Sequence, residues 1–432
     1  MKDHNPLAAT MNRELASGAP QLLAMLSERG KAIYFPHKGI LGQTAEAKGV
    51  GINATIGTAF ENDGSPLTLE CLESMVNVPS EAFLYAPSFG LPKLREEWGR
   101  LLETKNPGLR GKRFSKPVVT AALTHALSVA GYLFVDPGDE ILIPDLYWDN
   151  YELVFGETYG AGFRFYNTFK DGGFDVEAFA RALGEGAPGK RIVLLNFPNN
   201  PTGYTPTEEE YRALIAAIRQ AAEAGSRVVV ILDDAYFGLV YEEGIARESL
   251  FSSLTDLHPN VLGVKLDGAT KEDYVWGFRV GFITFGSAGA ADSHLKVLED
   301  KAAGAVRGTI SNAPCLSQAI LLEAYTDPAY AAQKEAKYQI LAERVHEIKA
   351  VLRAHPEYAD SFDVMPFNSG YFMCVRPKGV DLEALRKELI SGYGTGVIVL
   401  VGLVRLAFSA VPTAKIGELF SNIDAAIRKL RG

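Results

Sequence analysis

Cysteine is scarce in this chain: three among 432 residues, at Cys71, Cys315 and Cys374, with no Cys-x-x-Cys pair. So thin a set excludes a disulfide framework and a thiolate zinc site, and it fits a reducing compartment. The seven histidines never fall into a ligand spacing such as His-Glu-x-x-His, so no metal is expected. Basic residues are outnumbered, 43 Lys and Arg against 52 Asp and Glu, for a net charge of −9. That balance argues against nucleic acid as a partner. No uncharged apolar run reaches the roughly 18 residues that a membrane helix needs. Met1 to Pro20 shows no charged-then-apolar leader pattern. The expectation is a cytoplasmic protein with no membrane partner, and neither repeats nor low-complexity tracts complicate it.

A hydrophobic share of 47% and a charged share of 22% are ordinary for a globular chain. The length exceeds what one core supports, so a large domain plus a smaller one is expected. Between 116 and 285, strand-like runs at 118–123, 140–144, 162–166, 191–197, 227–233, 261–266 and 280–285 alternate with helical patterns at 125–135, 175–184 and 207–224. Such alternation predicts an α/β fold, with a mostly parallel seven-stranded sheet covered by helices on both faces. Thr205 is the expected cap of the helix that follows it, with Pro206 in the first turn and Glu208 closing a capping box. A helix over 12–29 carries Leu15, Leu22, Leu23, Met25 and Leu26, stopped by Gly30, and one long helix from Leu316 to about His355 connects to a tail at 362–430 of mixed strands and helices. The domains read as 67–330 for the large unit, with 1–66 and 331–432 together forming a smaller α+β unit.

The chain's chemistry gathers where strands end, the usual ligand rim of a doubly wound sheet. Run 191–197 ends in Asn196-Phe197-Pro198-Asn199-Asn200-Pro201-Thr202-Gly203, run 227–233 in Asp233-Asp234-Ala235-Tyr236, and run 261–266 leads to Lys271 with Arg279 beyond. A lysine in a partly apolar loop loses its proton more readily than an exposed one, and the free amine forms a Schiff base with an aldehyde. An arginine grips a phosphate through paired hydrogen bonds. Together they suit pyridoxal 5'-phosphate (PLP), although a lone lysine–arginine pair equally describes two solvated surface charges.

Taken in order, these motifs resemble the class I aminotransferases, PLP enzymes of the aspartate aminotransferase fold, over nearly the whole chain. The resemblance implies that Lys271 is the Schiff-base lysine and the base that moves the Cα proton, and that Asp233 faces the pyridine nitrogen. It implies that Tyr236 and Asn200 bond the ring hydroxyl oxygen and that Trp148 stacks on the ring. It places the phosphate on Arg279 and the turn Ala122-Leu123-Thr124, with Tyr85 reaching it from a second subunit of a homodimer. For the substrate, it assigns the α-carboxylate to Arg405 with Gly57 close by, and a distal carboxylate to Arg307 across the dimer. The implied reaction is transamination between an amino acid, acidic (aspartate or glutamate) or aromatic, and a 2-oxo acid such as 2-oxoglutarate.

Several positions depart from that pattern. Gly268 stands where the family carries a phosphate-holding hydroxyl, Ala122 and His125 occupy the phosphate turn, Tyr151 replaces a histidine behind the aspartate, and Glu272 and Asp273 put acid beside a phosphate site. Another PLP chemistry on the same scaffold (β-lyase, decarboxylase or racemase) stays open. So does a ligand-sensing regulator, though neither a DNA-binding module nor a basic patch is present.

Overall fold

The computed structural model describes residues 5–18, 26, 31–32, 40–73 and 80–432. Its centre is a seven-stranded sheet of Val118–Thr120 (β1), Glu140–Pro144 (β2), Gly162–Tyr166 (β3), Lys190–Asn196 (β4), Arg227–Asp233 (β5), Val261–Asp267 (β6) and Gly281–Gly286 (β7). The spatial order is β1-β7-β6-β5-β4-β2-β3. Only β7 runs against its neighbours; the pairs from β6 to β3 are parallel. All seven expected strands are therefore in one sheet.

The central strands are mainly apolar because both faces of the sheet are covered there. Alternate residues of one strand enter different layers. Val230, Leu232 and Phe282 face a layer with Leu94 and Trp98, whereas Ile231, Ile283 and Phe285 face one with Ala126, Leu127 and Phe155. Trp98 stacks on Phe282 with centroids 4.2 Å apart and donates its indole N–H to Asp267 at 3.1 Å. The amine of Lys105 lies 4.1 Å from the same indole.

Three expectations about helices need correction. The first helix spans Pro6–Gly18, earlier than the 12–29 pattern, most of whose remainder lies outside the described residues. The helix Glu208–Glu223 is capped by Thr207, not Thr205. Thr207 Oγ1 accepts from Glu210 N at 3.2 Å, Glu210 Oε2 accepts from Thr207 N at 2.7 Å, and the Thr205 hydroxyl bonds Ser369 instead. The long connector is two helices, Cys315–Thr326 and Tyr330–Ala354. They part at Asp327-Pro328, where proline has no N–H to continue the ladder.

The tail builds a four-stranded antiparallel sheet in the order Phe362–Val364, Phe372–Pro377, Leu403–Ala407, Ile398–Leu400. Residues 40–54 pack on it. Ile52–Asn53 pairs in parallel with Thr395–Gly396, and the Gln43 amide brackets Val399, donating to its carbonyl at 2.9 Å and accepting from its N–H at 2.7 Å.

Candidate active site

Strands β4 and β5 end in register, Asn196 opposite Asp233. Asn196 Nδ2 donates to the Asp233 carbonyl at 2.7 Å while its Oδ1 accepts from Asn200 N at 2.7 Å, which folds the chain back over the rim. Asn199 Oδ1 accepts from both Thr202 N (3.1 Å) and Thr202 Oγ1 (2.7 Å), a side-chain bond that closes the turn. The Asn-Pro-rich run is thus a turn that also delivers Asn200.

Asp233 is buried, and Tyr151 Oη donates to its Oδ2 at 2.6 Å. Burial raises its pKa; the Tyr151 hydrogen bond and the charge of Lys271 pull the other way. Lys271 enters from the turn Ala269–Glu272 after β6, its amine 4.8 Å from the centroid of the Tyr236 ring. Its pKa is lowered: burial disfavours the ammonium, Arg279 adds to that, and Asp233 opposes it. Tyr371 Oη donates to the Lys271 carbonyl at 3.0 Å and fixes the backbone.

Gly268 has a steric cause. A Cβ there would sit 2.7 Å from both Gly281 Cα and Val280 O, so no hydroxyl residue fits. The nearby hydroxyl belongs to Thr270, whose buried Oγ1 has no hydrogen-bond partner. Sequence reading passed over Thr270; a hydroxyl residue adjoining the lysine was the available signal.

Opposite lies the amino end of helix Ala122–Phe134, where backbone N–H groups attract anions. Ala122 takes φ 63°, and a Cβ on Gly281 would be 2.7 Å from Ala122 C, so this turn rests directly on β7. His125 serves the turn itself: its Nδ1 accepts from Ala121 N at 3.1 Å and its Nε2 contacts Thr309 Oγ1 at 3.0 Å. Arg279, at φ 54°, completes this side.

Arg405 is buried on an inner strand of the small sheet, between Cys374 and Ile398 of its neighbours. It donates to Asn200 Oδ1 at 3.0 Å and Thr55 O at 3.3 Å, its guanidinium carbon is 4.3 Å from the Phe372 centroid, and its Nε is buried without a partner. Burial lowers its pKa, with Tyr236, Cys374 and Asp149 opposing. Trp148 stands edge-on to Tyr151 at 5.5 Å.

One cavity of about 230 Å³ unites these groups: Gly57, Ala122, Leu123, Thr124, Trp148, Asn200, Asp233, Tyr236, Lys271, Arg279 and Arg405 all line it. Ile40, Asn196, Ala235 and Phe372 line it as well; nothing in their sequence context marked Ile40 or Phe372. Tyr85 and Arg307 do not. Tyr85 is 90% exposed, and Arg307 is exposed at the end of helix Asp292–Thr309, donating to Ser311 Oγ at 2.8 Å. The acidic pair also turns away. Glu272 accepts from Lys105 at 2.7 Å and Lys334 at 3.1 Å, while Asp273 accepts from Lys334 at 2.9 Å and Tyr325 at 2.8 Å.

The donor set fits PLP. Lys271 offers an amine of lowered pKa, Asp233 a buried carboxylate, and Arg279, the helix N–H groups and the unpartnered Thr270 hydroxyl an anion cradle.

A family model described as aminotransferase class I and II matches residues 66–423. The chain is 30% identical to the aspartate aminotransferase of Geobacillus stearothermophilus over 251 residues, 56% of this chain and 57% of that one, so the match spans little more than half of that relative. It is 26% identical to the aspartate/prephenate aminotransferase of Cereibacter sphaeroides over 362 residues, 80% of this chain and 81% of the other. A solved aminotransferase from Anaerococcus prevotii superposes with a TM-score of 0.81 at 22% identity, covering 93% of this chain and 98% of its own, and shows the shared fold. The family match over most of the chain and the fold agree with the cavity chemistry: the chain belongs to the class I and II aminotransferases.

Proposed function

We propose that this cavity binds PLP and moves an amino group between an acidic amino acid, aspartate or glutamate, and a 2-oxo acid such as 2-oxoglutarate. The observation that carries the reading is the meeting of Lys271, Asp233, Tyr236, Asn200, Arg279 and Arg405 around one cavity. When bound, the cofactor supplies an electron sink for the carbanion at the substrate Cα. Lys271, whose pKa burial lowers, is the base placed to take the substrate Cα proton. Asp233 would face the ring nitrogen, where its carboxylate would favour the protonated form of the ring. Tyr236 and Asn200 bond the ring oxygen, Trp148 covers one face, and Arg279 with residues 122–124 and Thr270 holds the phosphate. Arg405 takes the α-carboxylate near Gly57, and its unpartnered Nε gives it a donor to spare.

The working unit in this reading is a homodimer. Phe83, Leu84 and Tyr85 are consecutive and 79%, 66% and 90% exposed, an apolar tip suited to a second copy. The helix end bearing Arg307 adjoins both that loop and the phosphate turn, through Ser88 Oγ to Ser311 O at 2.8 Å and through Thr309 to His125. Tyr85 and Arg307 then serve the partner's cavity, Tyr85 at the phosphate and Arg307 at the distal carboxylate. Residues 1–66 and 331–432 form the smaller unit beside 67–330, supported by the pairing of Ile52–Asn53 with Thr395–Gly396. Scarce cysteine supports a cytoplasmic location; among the described residues no helix is long and apolar enough to cross a membrane.

A panel of acidic, aromatic and aliphatic amino donors with 2-oxoglutarate, run on the wild type and Arg307→Ala, tests this. Selective loss of acidic donors in the variant is expected. An unchanged donor profile removes the dicarboxylate assignment, and elimination or decarboxylation products without amino transfer would move the chain to another PLP chemistry.

A further inference from the structure

We propose that a second cavity, back to back with the first, is an effector site for a small aromatic carboxylate whose ring bears an O–H or N–H donor, such as a phenol or an indole. This cavity is larger, about 550 Å³, and lies between the 237–240 loop, the 272–274 turn and the start of helix Tyr330–Ala354. That volume suits a small organic molecule, and its walls are mainly aromatic: Phe237, Tyr274, Tyr330 and Tyr338.

Two polar groups select the ligand. Glu272 is 4% exposed, and while its Oε1 accepts from Lys105 and Lys334, its Oε2 is buried with no partner. Burial alone would raise its pKa, but the charges of Lys105 and Lys334 bring it down to about 2, so this residue of the cavity lining carries an ionised carboxylate with one oxygen unsatisfied. A buried acceptor left alone is costly, and a charged one more so. With both lysines already committed, the missing donor is best brought by the ligand. Arg247 lines the same cavity, is exposed, and makes no hydrogen bond or ion pair among the described residues. A guanidinium without a partner is a carboxylate receptor. A ring among the tyrosines, its donor on Glu272 Oε2 and its carboxylate on Arg247, satisfies both groups at once.

The two cavities share a wall built from consecutive residues. Tyr236 lines the first and Phe237 the second; Lys271 lines the first and Glu272 the second. Filling the second cavity therefore acts on the turn that positions the Lys271 amine. This coupling rests on the reading of Lys271 given above, whereas the binding rests on the second cavity alone.

The test is calorimetry on the holoenzyme with 3-(4-hydroxyphenyl)propionate and 3-phenylpropionate, neither of which carries an amino or oxo group to be exchanged. In Arg405→Ala, which removes carboxylate binding in the first cavity, the hydroxylated probe should still bind one per chain. The probe without the hydroxyl should bind about tenfold more weakly, the scale of one hydrogen bond to a charged group. Arg247→Ala, a surface change, should weaken binding by a similar factor, and Ala331→Trp, which fills the cavity from the helix, should abolish it. Heat that vanishes with Arg405→Ala, or that ignores both Arg247→Ala and Ala331→Trp, overturns the site. In the otherwise wild-type enzyme, occupancy should shift the pH at which the yellow Lys271 imine absorbance titrates; binding without that shift overturns the coupling. Binding in a protein that fails to transaminate would leave this site standing and refute the function instead.

Discussion

Lys265 is buried and Lys271 half-buried, near the end of the same strand and in the turn after it, yet their pKa values shift in opposite directions. Lys265 sits between Asp234, in direct contact, and Asp267 at 3.4 Å. Burial by itself would lower its pKa, but those carboxylates more than offset it and the pKa is raised. For Lys271 burial prevails and the pKa falls. The cause is how the two aspartates at the end of β5 are shared out. Asp234 serves Lys265 and Ser249, at 2.6 Å from the latter, whereas Asp233 is engaged by Tyr151 and opposes the fall of the Lys271 pKa without overcoming it. Burial makes a lysine reactive only where no carboxylate is placed against it.

The sharpest way to break this comparison is to exchange the fates of the two lysines. Lys271→Ala should lower kcat by about 10⁴-fold or more, the upper range for a group that transfers the proton, with thermal unfolding near the wild type. Wild-type turnover in that variant would refute the mechanism. Lys265→Met should do the reverse. Removing one partner from a buried ion pair costs about 3–5 kcal/mol, read from urea unfolding, while kcat per folded molecule is kept. Lost activity in a stably folded Lys265→Met would show that the two lysines are not separable.

Arg405 extends the contrast to a group awaiting its carboxylate. Arg405→Ala should cut kcat/KM by about 2–5 kcal/mol, mostly through KM, and Arg405→Lys should recover only part, since an ammonium offers no parallel pair of N–H groups. A KM that stays put in Arg405→Ala would place the α-carboxylate elsewhere.

The large sheet was legible because parallel strands buried on both faces are mostly apolar runs between turn residues, as in Val228–Leu232. What sequence could not settle was decided by distant contacts. Thr205 and Thr207 each stand three residues before a glutamate, so two capping boxes were open. Glu210 belongs to the one that forms because it also accepts from Phe174 N at 2.6 Å and Tyr204 Oη at 2.8 Å, groups no local pattern links to it. Glu272 and Asp273 looked misplaced beside a phosphate because their partners, Lys105 and Lys334, are far away in sequence. Gly268 looked like a lost function until its approach to Gly281 explained it. Of the site, the residues on strand ends and their turns came from the order of the motifs and the family resemblance that order carries. Ile40 and Phe372 did not, because an apolar residue facing a cavity has the same local signature as one facing the core.

The smallest expected effect, and the finest probe of the comparison, lies at Tyr151. Its phenol donates to Asp233 and opposes the rise in pKa that burial causes there. Losing a hydrogen bond to a charged group costs about 1.5–3 kcal/mol, which is about one to two pKa units. In Tyr151→Phe the Asp233 pKa therefore rises further. Asp233 works as the anion, so activity is lost as pH falls through that pKa, and the acid limb of kcat/KM should move to higher pH with its plateau little changed. Tyr151→His should move the limb the other way in the range where imidazole is protonated, because a cation stabilises the carboxylate more than a neutral phenol does. An acid limb that ignores both substitutions would mean that Tyr151 merely fills space, and that the ionisation of Asp233 is governed by the cofactor alone.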